Sequence, residues 1–202
     1  SWYDLAAREG WAYSDEIFYE SFGKQNAVII PKLAGRPLTK DEVSEMADYK
    51  ELRYRERING KLSLLPGVRE LLTDLKKHGF RLAVGTSTPK ANLDMMLDTT
   101  ATRAFFDEFV TSDEIANGKP APDTFLAAAK KLGLSPSLCV VVEDAIAGVE
   151  AAIAGGMVVL AVTNTRTREE LYQASRIVNS LTEVTAADFM ALLQRVADTN
   201  AG

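Results

Sequence analysis

The sequence predicts an α/β fold in which helices wrap a parallel sheet and a small helical bundle precedes it. The first indication is Leu138–Val142, an apolar run without alternation, which is typical of a strand covered on both faces. The second is the alternation of strand-like and helix-like segments from residue 64 onward, which favours parallel strands joined by right-handed crossovers. The third is the absence of a convincing strand before residue 60. We therefore expect a helical domain over 1–63 and a core domain over 64–202.

The N-terminal part reads as helices separated by breaks. Apolar residues share one side of Ser1–Gly10, and Ser14 is a suitable cap for a second helix. The loop Phe22–Asn26 interrupts the helical pattern. Thr39 begins a further helix, and Glu42, three residues later, completes a capping box. This pattern indicates a helical bundle.

The core segments follow in strict alternation. Helices are expected over 66–78, 89–97, 123–132, 145–154 and 186–196, with another helix starting in 167–171. Strands are expected over 80–85, 109–110, 138–142, 158–162 and 177–178. The last of these strands is expected at an edge of the sheet.

Composition excludes several classes of protein. Hydrophobic residues make up 47% of the chain and charged residues 25%, which is typical of a folded globular protein. With a net charge of −5 and no long basic run, nucleic acid is not an expected partner. No apolar stretch reaches membrane-spanning length, so we expect a cytoplasmic protein without membrane contact. The single cysteine, Cys139, is interpreted as a core residue, and the single histidine, His78, as the end of a helix. One histidine cannot build a His-based metal cluster.

Polar side chains follow three of the expected strands, either directly or in the loop after the strand. Parallel topology brings the ends of such strands to one edge of a sheet. They are the hydroxyls of Thr86, Ser87 and Thr88, the ammonium of Lys119, and the paired carboxylates of Glu143 and Asp144. Paired acids suit Mg²⁺, which prefers oxygen ligands. Hydroxyls and a lysine suit a phosphoryl group, whose charge must be neutralised. Each residue also has a simpler interpretation, because hydroxyls cap helices, acids favour helix N-termini, and loop lysines are usually solvated.

The order of these motifs resembles the haloacid dehalogenase superfamily, in the branch with a helical cap that includes β-phosphoglucomutase and phosphoglycolate phosphatase. The resemblance rests on Gly-Lys-Pro-x-Pro at Lys119 followed by Glu-Asp-x-x-x-Gly at Glu143, with a hydroxyl after an apolar strand at Thr86. It implies a Rossmann-like core that the cap rejoins near residues 65–68. It also implies that Thr86 and Lys119 are catalytic and hold the phosphate, while Glu143 and Asp144 bind Mg²⁺ as the cofactor.

One family motif is not found in the sequence. In the family, Asp-x-Asp-Gly on the first core strand supplies the aspartate that becomes phosphorylated, whereas Ser1–Leu5 already resembles the first cap helix. The preferred explanation is a Mg²⁺-dependent phosphatase whose nucleophile lies N-terminal to the given sequence, on about 15–20 further residues. A catalytically inactive phosphate-binding or structural relative, and a strand supplied by another chain, stay open. The missing strand is central in the family's sheet, so its two neighbours would have unpaired backbone groups.

The cap of this branch selects the substrate, and the resemblance assigns candidate substrate-binding residues. They are Lys24, Asn26, Arg36 and Lys50 in the cap, together with Ser87 and Thr88. Cations there would attract an anion, although Lys50 also fits the solvated face of an amphipathic helix. We expect a small phosphorylated metabolite, such as a sugar phosphate or phosphoglycolate, bound by a monomer or homodimer. A β-phosphoglucomutase-like mutase is the alternative, which is disfavoured because Asn26 stands where that enzyme has an arginine, with Arg36 as the candidate replacement.

Overall fold

The computed structural model describes residues 1–200, with side chains through residue 195. Positions 201 and 202, which the sequence places in the core domain, lie outside the described residues. The α-helices within this range are α1 (Trp2–Glu9), α2 (Asp15–Ser21), α3 (Asn26–Ala34), α4 (Lys40–Ile58), α5 (Val68–Lys77), α6 (Lys90–Thr100), α7 (Asp123–Leu132), α8 (Ile146–Ala154) and α9 (Ala186–Asn200). The strands are β1 (Ala83–Gly85), β2 (Glu108–Val110), β3 (Val140–Glu143), β4 (Val158–Val162) and β5 (Arg176–Val178). No helix in the described range has both the length and the apolar character needed to cross a membrane.

The helix starts expected in the N-terminal part are confirmed. The hydroxyl of Ser14 accepts the amide of Ile17 at 3.4 Å, which caps α2. At the start of α4, Thr39 and Glu42 exchange the two hydrogen bonds of a capping box. Local side-chain chemistry therefore fixes where these helices begin.

A small apolar core joins α1, α3 and α4. Leu5 of α1, Ile30 of α3 and Met46 of α4 are buried together, and Trp2 packs against them. Helix α3 was not among the expected elements, because Pro31 lies inside it and removes a backbone donor. Burial of Ile30 stabilises the helix despite that loss.

Strand β4 shows that helices cover both faces of the sheet. Val158, Leu160 and Val162 pack in the cluster that contains side chains of α5 and α9. Val159 and Ala161 point the other way, into the cluster with side chains of α7 and α8. Strand β4 pairs in parallel with β3 on one side and with β5 on the other. The predicted parallel sheet wrapped by helices is therefore confirmed, with β5 at the expected edge.

The sheet consists of two parts in the described residues. Strands β1 and β2 pair in parallel with each other, and β3, β4 and β5 form a separate parallel sheet. An apolar groove of about 400 Å³ lies between β1 and β3, and Leu75, Phe125 and Phe189 contribute to its walls. Among the residues that the structure describes, no strand pairs with the edges of β1 and β3 that line this groove. The expectation of two neighbouring strands with unpaired edges is confirmed.

The groove accounts for two strands that are shorter than predicted. Strand β1 begins at Ala83 rather than residue 80, and β3 begins at Val140 rather than Leu138. Leu138 ends a short 3-10 helix and is 59% exposed, while Val142 is 40% exposed. Both side chains line the groove. The prediction of a strand covered on both faces is wrong at these positions, because no neighbour covers this edge.

Two further expectations are corrected by the structure. Cys139 precedes β3 instead of lying within a strand, and it is only half-buried, although burial still raises the pKa of its thiol. The segment 167–171 forms turns instead of starting a helix. Thr167 and Glu170 exchange two hydrogen bonds there, as in a capping box, but no helix follows, and Leu171 is buried in the core.

Gly67, directly before α5, packs against the backbone of residues 181–182. A methyl group added at Gly67 should therefore lower the stability of the protein strongly. Gly67 has a φ of +83°, and a Cβ built there would lie 2.5 Å from the amide nitrogen of Thr182. Gly67→Ala should lower the free energy of unfolding by about 2–4 kcal/mol, through overpacking and the left-handed backbone. Gly60→Ala is the matched control, because Gly60 has a φ of +67° with nothing within 4 Å, and should lose about 1 kcal/mol. Urea unfolding measures both losses, and equal losses would contradict a steric role for Thr182.

Candidate active site

A pocket of about 330 Å³ lies where the N-terminal helices meet the carboxyl ends of β1 and β3. All but one of the site residues expected from the sequence line it. These are Lys24, Asn26, Lys50, Thr86, Ser87, Thr88, Lys119, Glu143 and Asp144. The strand ends and the N-terminal helices therefore meet around a single space.

The exception is Arg36, whose placement at the site is corrected. Its exposed guanidinium forms an ion pair of 2.8 Å with Glu42 and donates to the carbonyl of Pro37 at 3.1 Å. Glu42 also closes the capping box of α4. Arg36 therefore stabilises the turn before α4 and supplies no charge to the pocket.

Lys119 and Glu143 form a buried ion pair in the pocket wall. The Lys119 Nζ lies 3.0 Å from the Glu143 Oε1, with the two side chains 8% and 12% exposed. The same ammonium lies 4.5 Å from the ring centroid of Phe125. A Cβ built at Gly148 of α8 would overlap the Glu143 carboxylate. The glycine of the Glu-Asp-x-x-x-Gly motif is therefore explained by the space that this carboxylate needs.

The loop after β1 holds its hydroxyls in fixed positions. The Thr86 amide donates to the carbonyl of Val110 at 3.0 Å, which extends the pairing of β1 with β2. The Thr86 Oγ1 accepts the amide of Thr88 at 3.1 Å. The Ser87 Oγ donates to the carbonyl of Gly23 at 2.8 Å and joins this loop to the N-terminal helices. The Thr86 hydroxyl accepts in this arrangement and can therefore donate to an anion without reorganising.

The carboxylates of Glu143 and Asp144 are adjacent at the end of β3. The Asp144 Oδ2 accepts the side-chain amide of Asn164 at 3.4 Å, and the Asp144 carbonyl accepts the hydroxyl of Thr165 at 2.7 Å. No group of three or more His, Cys, Asp or Glu suited to a metal occurs among residues whose placement is described. Two carboxylates still fit Mg²⁺, which often takes one or two of them with water and substrate phosphate. These two carboxylates would therefore supply only part of the ligands of a metal ion.

Glu51 is the centre of a buried network that the sequence did not reveal. It is 5% exposed, and its Oε1 accepts the amide of Asn26 and the ammonium of Lys50, each at 2.7 Å. The Glu51 Oε2 accepts the side-chain amide of Asn92, which is 1% exposed. Asn92 in turn accepts the guanidinium of Arg55 at 2.7 Å. The sequence indicated this network only through the position of Glu51 directly after Lys50. It gave no indication that α6, which carries Asn92, would lie beside α4.

Aromatic rings surround the ammonium of Lys50. The Lys50 Nζ lies 4.7 Å from the ring centroid of Trp2 and 5.8 Å from that of Tyr54. Burial, and then the charge of Glu51, raise the pKa of Tyr54, so its phenol stays neutral at pH 7. Phe18 also lines this part of the pocket. The pocket thus has a polar end at the strands and a mixed aromatic and charged end at the helices.

Gln25 is a second residue that sequence reasoning missed. Its buried side chain donates from Nε2 to the carbonyl of Ile115 at 3.3 Å. A Cβ built at Gly118 would lie 2.6 Å from the Gln25 Cδ, so the glutamine packs directly on the residue before Lys119. The N-terminal helices therefore contact the loop that carries the lysine of the site.

The fold and the pocket are those of a hydrolase family. Residues 2–156 match the family model of the haloacid dehalogenase-like hydrolases, and the chain belongs to this family. The resemblance seen in the motifs at Lys119 and Glu143 is thereby confirmed.

Individual relatives and solved structures agree with that assignment. The chain is 34% identical to hexitol phosphatase A of Escherichia coli over 188 residues, which covers 92% of this chain and 84% of the relative. It is 37% identical to protein CbbY of Rhodobacter capsulatus over 138 residues, or 66% of this chain. A β-phosphoglucomutase structure from Clostridium difficile superposes with a TM-score of 0.87 at 23% identity, covering 96% of this chain and 88% of the other, which shows the shared fold.

The chain spans only part of several relatives. It covers 61% of the length of CbbY and smaller shares of the three relatives that match next.

Proposed function

We propose that the protein is a Mg²⁺-dependent phosphatase of a small phosphorylated metabolite, of the sugar phosphate or phosphoglycolate type. The observation that carries this proposal is the convergence of Thr86, Lys119, Glu143 and Asp144 in one pocket. Membership of a hydrolase family supports it, as does similarity to a hexitol phosphatase. The small phosphorylated metabolite is the proposed ligand of this pocket.

In this proposal the phosphoryl group binds between Thr86 and Lys119. The Thr86 hydroxyl donates to a phosphate oxygen, and the Lys119 ammonium neutralises part of the negative charge. Because the ion pair with Glu143 holds Lys119 in place beforehand, little reorganisation is needed when charge develops in the transition state. Mg²⁺ held by Glu143 and Asp144 supplies further positive charge to the phosphoryl oxygens when it is bound.

The attacking carboxylate would come from an extended segment in the groove between β1 and β3. A parallel strand there could pair with both edges, and the residue after its carboxyl end would lie beside Thr86 and Glu143. An aspartate oxygen would attack phosphorus to form an aspartyl phosphate while the bond to the substrate oxygen breaks and that oxygen takes a proton. Water would then hydrolyse the aspartyl phosphate. We place this segment N-terminal to Ser1, as the family motif suggests.

We further propose that residues 1–63 act as a cap on residues 64–202. Three contacts between the two parts support this proposal. The carbonyl of Gly23 accepts the Ser87 hydroxyl, Gly23 packs near Ala145, and Gln25 packs on Gly118. Each contact falls next to a residue of the proposed phosphate or metal site. Closure of the cap would therefore exclude water and position substrate in one movement.

The experiment that tests the phosphatase uses the polypeptide extended at its N-terminus to include the nucleophile segment, with its intact mass compared with 22.0 kDa. Hydrolysis of p-nitrophenyl phosphate should depend on Mg²⁺ and fall by about 100-fold or more in EDTA. Reduction with borohydride followed by mass spectrometry should locate a phosphorylated aspartate in the added segment. Turnover that is independent of Mg²⁺, or absent with the segment present, would refute the proposal.

A phosphosugar mutase shares the residues at Thr86, Lys119 and Glu143, so it needs its own test. Such an enzyme must hold a second phosphate in the cap. Asn26 is uncharged, and Arg36 pairs with Glu42 outside the pocket, so neither residue offers a cation for that phosphate. Conversion of β-glucose 1-phosphate to the 6-phosphate would overturn the preference for hydrolysis.

A further inference from the structure

The part of the pocket lined by the N-terminal helices, called the cap side here, contains a carboxylate next to a lysine. A lysine alone at this place would bind a second anionic group of the substrate. Glu51 is nearly fully buried, and its Oε1 lies 2.7 Å from the Lys50 Nζ. Both side chains line the pocket that Thr86 and Lys119 line from the other side. Lys50 therefore belongs to an ion pair rather than acting as a free lysine, and Lys24 is the other cap lysine that lines the pocket.

The paired charge changes what Lys50 can attract. A lysine in a dry site binds phosphate or carboxylate strongly when its charge is uncompensated. Here an incoming anion would meet the Glu51 carboxylate at almost the same distance as the ammonium, and Glu51, unlike Glu143, has no proposed metal to offset its charge. Asn26 adds no positive charge, because its side chain is a neutral amide that donates to Glu51. A second phosphate or a carboxylate on the substrate is thus disfavoured at this end.

A neutral hydroxylated group meets none of these penalties. The Glu51 carboxylate accepts three hydrogen bonds, from Asn26, Lys50 and Asn92, and a carboxylate has about four acceptor sites, so one hydroxyl can still donate to it. The rings of Trp2, Phe18 and Tyr54 line the same pocket and offer apolar surface to the C–H groups of a sugar or polyol. The chemistry at this end suits hydroxyl groups.

We propose that Glu51 is a specificity-determining residue that makes this pocket select monophosphates of neutral sugars or polyols over substrates with a second phosphate or a carboxylate. The inference rests on the proposed phosphatase function and narrows it, since it disfavours both phosphoglycolate and bisphosphates. Glu51 acts on the remainder of the substrate and not on the phosphoryl group. Its replacement should therefore change selectivity much more than basal turnover.

The test compares three substrates in the polypeptide that includes the nucleophile segment. They are sorbitol 6-phosphate, fructose 1,6-bisphosphate and p-nitrophenyl phosphate. In the unchanged protein, kcat/KM for sorbitol 6-phosphate should exceed that for the bisphosphate by about tenfold or more. Glu51→Gln keeps the shape and removes the charge, so that ratio should fall at least about tenfold, mainly through KM. Turnover of p-nitrophenyl phosphate should change by less than about threefold.

Glu56→Gln is the matched control, because Glu56 lies on the same helix but pairs with Arg53 at the surface. It should leave the substrate ratio unchanged. A preference of the unchanged protein for the bisphosphate, or an unchanged ratio in Glu51→Gln, would overturn the inference. A Glu51→Gln protein without p-nitrophenyl phosphatase activity would indicate a structural role for the network, and the ratio in the unchanged protein would then decide.

Failure of the phosphatase proposal itself gives a different result. The unchanged protein would then hydrolyse none of the three substrates. Calorimetric binding of sorbitol 6-phosphate and fructose 1,6-bisphosphate to it would still measure the selectivity of the cap side. Equal affinities, or tighter binding of the bisphosphate, would overturn the role of Glu51 without any reference to turnover.

Discussion

In the polypeptide that includes the nucleophile segment, Lys119→Met should abolish most of the proposed phosphatase activity and also destabilise the protein. Methionine keeps the length of the side chain but loses the charge that would neutralise a phosphoryl group, so kcat/KM for p-nitrophenyl phosphate should fall by at least about 100-fold. The Glu143 carboxylate would stay buried without its partner, which costs about 3–5 kcal/mol when one member of a buried pair is removed. Urea unfolding and steady-state kinetics measure the two effects separately.

Lys130→Met provides the control for Lys119→Met. Lys130 is an exposed lysine near the end of α7, so its loss removes the same charge from the chain outside the pocket. It should change activity by less than about twofold and stability by less than about 0.5 kcal/mol. Retention of more than a tenth of the activity by Lys119→Met would show that this ammonium does not hold the phosphoryl group.

Gly148→Ala should have an effect as large as the loss of a site residue, although glycine itself contacts no substrate. The added methyl group would overlap the carboxylate of Glu143, so that side chain would have to leave its position beside Lys119 or α8 would have to shift. We expect activity to fall by about 100-fold or more and the free energy of unfolding by about 2–3 kcal/mol. The Mg²⁺ concentration for half-maximal activity should rise at least about tenfold, because Glu143 is one of the proposed ligands.

Gly155→Ala is the matched control for this substitution. Gly155 follows the same helix, and a Cβ there would meet its neighbours at 3.4 Å or more, which is ordinary contact. Activity and Mg²⁺ dependence of this variant should stay within about twofold of the unchanged protein. If Gly148→Ala behaved in the same way, the overlap with Glu143 would be absorbed by small shifts, and the steric explanation of the motif glycine would be wrong.

The residues at the strand ends could be predicted because their positions follow from topology. Parallel strands end at one edge, so Thr86 and Glu143 had to be neighbours once alternation of strands and helices was recognised. Strand β4 was predicted at its observed bounds, because both of its faces are buried and the sequence is uniformly apolar. The helix starts at Ser14 and Thr39 depended on local capping chemistry alone.

The rest depended on contacts between distant segments, which periodicity does not encode. Asn92 and Glu51 are 41 positions apart, and only the packing of α6 against α4 brings their side chains together. Strand β3 was misjudged at Leu138 and Val142 because burial of an apolar residue depends on a neighbouring strand as well as on its own sequence. Arg36 was misplaced for a local reason, since it forms an ion pair with Glu42, which is six positions away in the sequence.

The groove between β1 and β3 also affects how the α/β part unfolds. In a continuous sheet, backbone hydrogen bonds couple each strand to the next. Here the two sheets are joined through helices such as α7, which contacts β1, β2 and α8. Cooperative unfolding as one unit requires that the two parts lose their structure together. A strand in the groove would connect them by backbone hydrogen bonds on both sides. The segment that brings the nucleophile would then also determine whether the protein behaves as one cooperative unit or two.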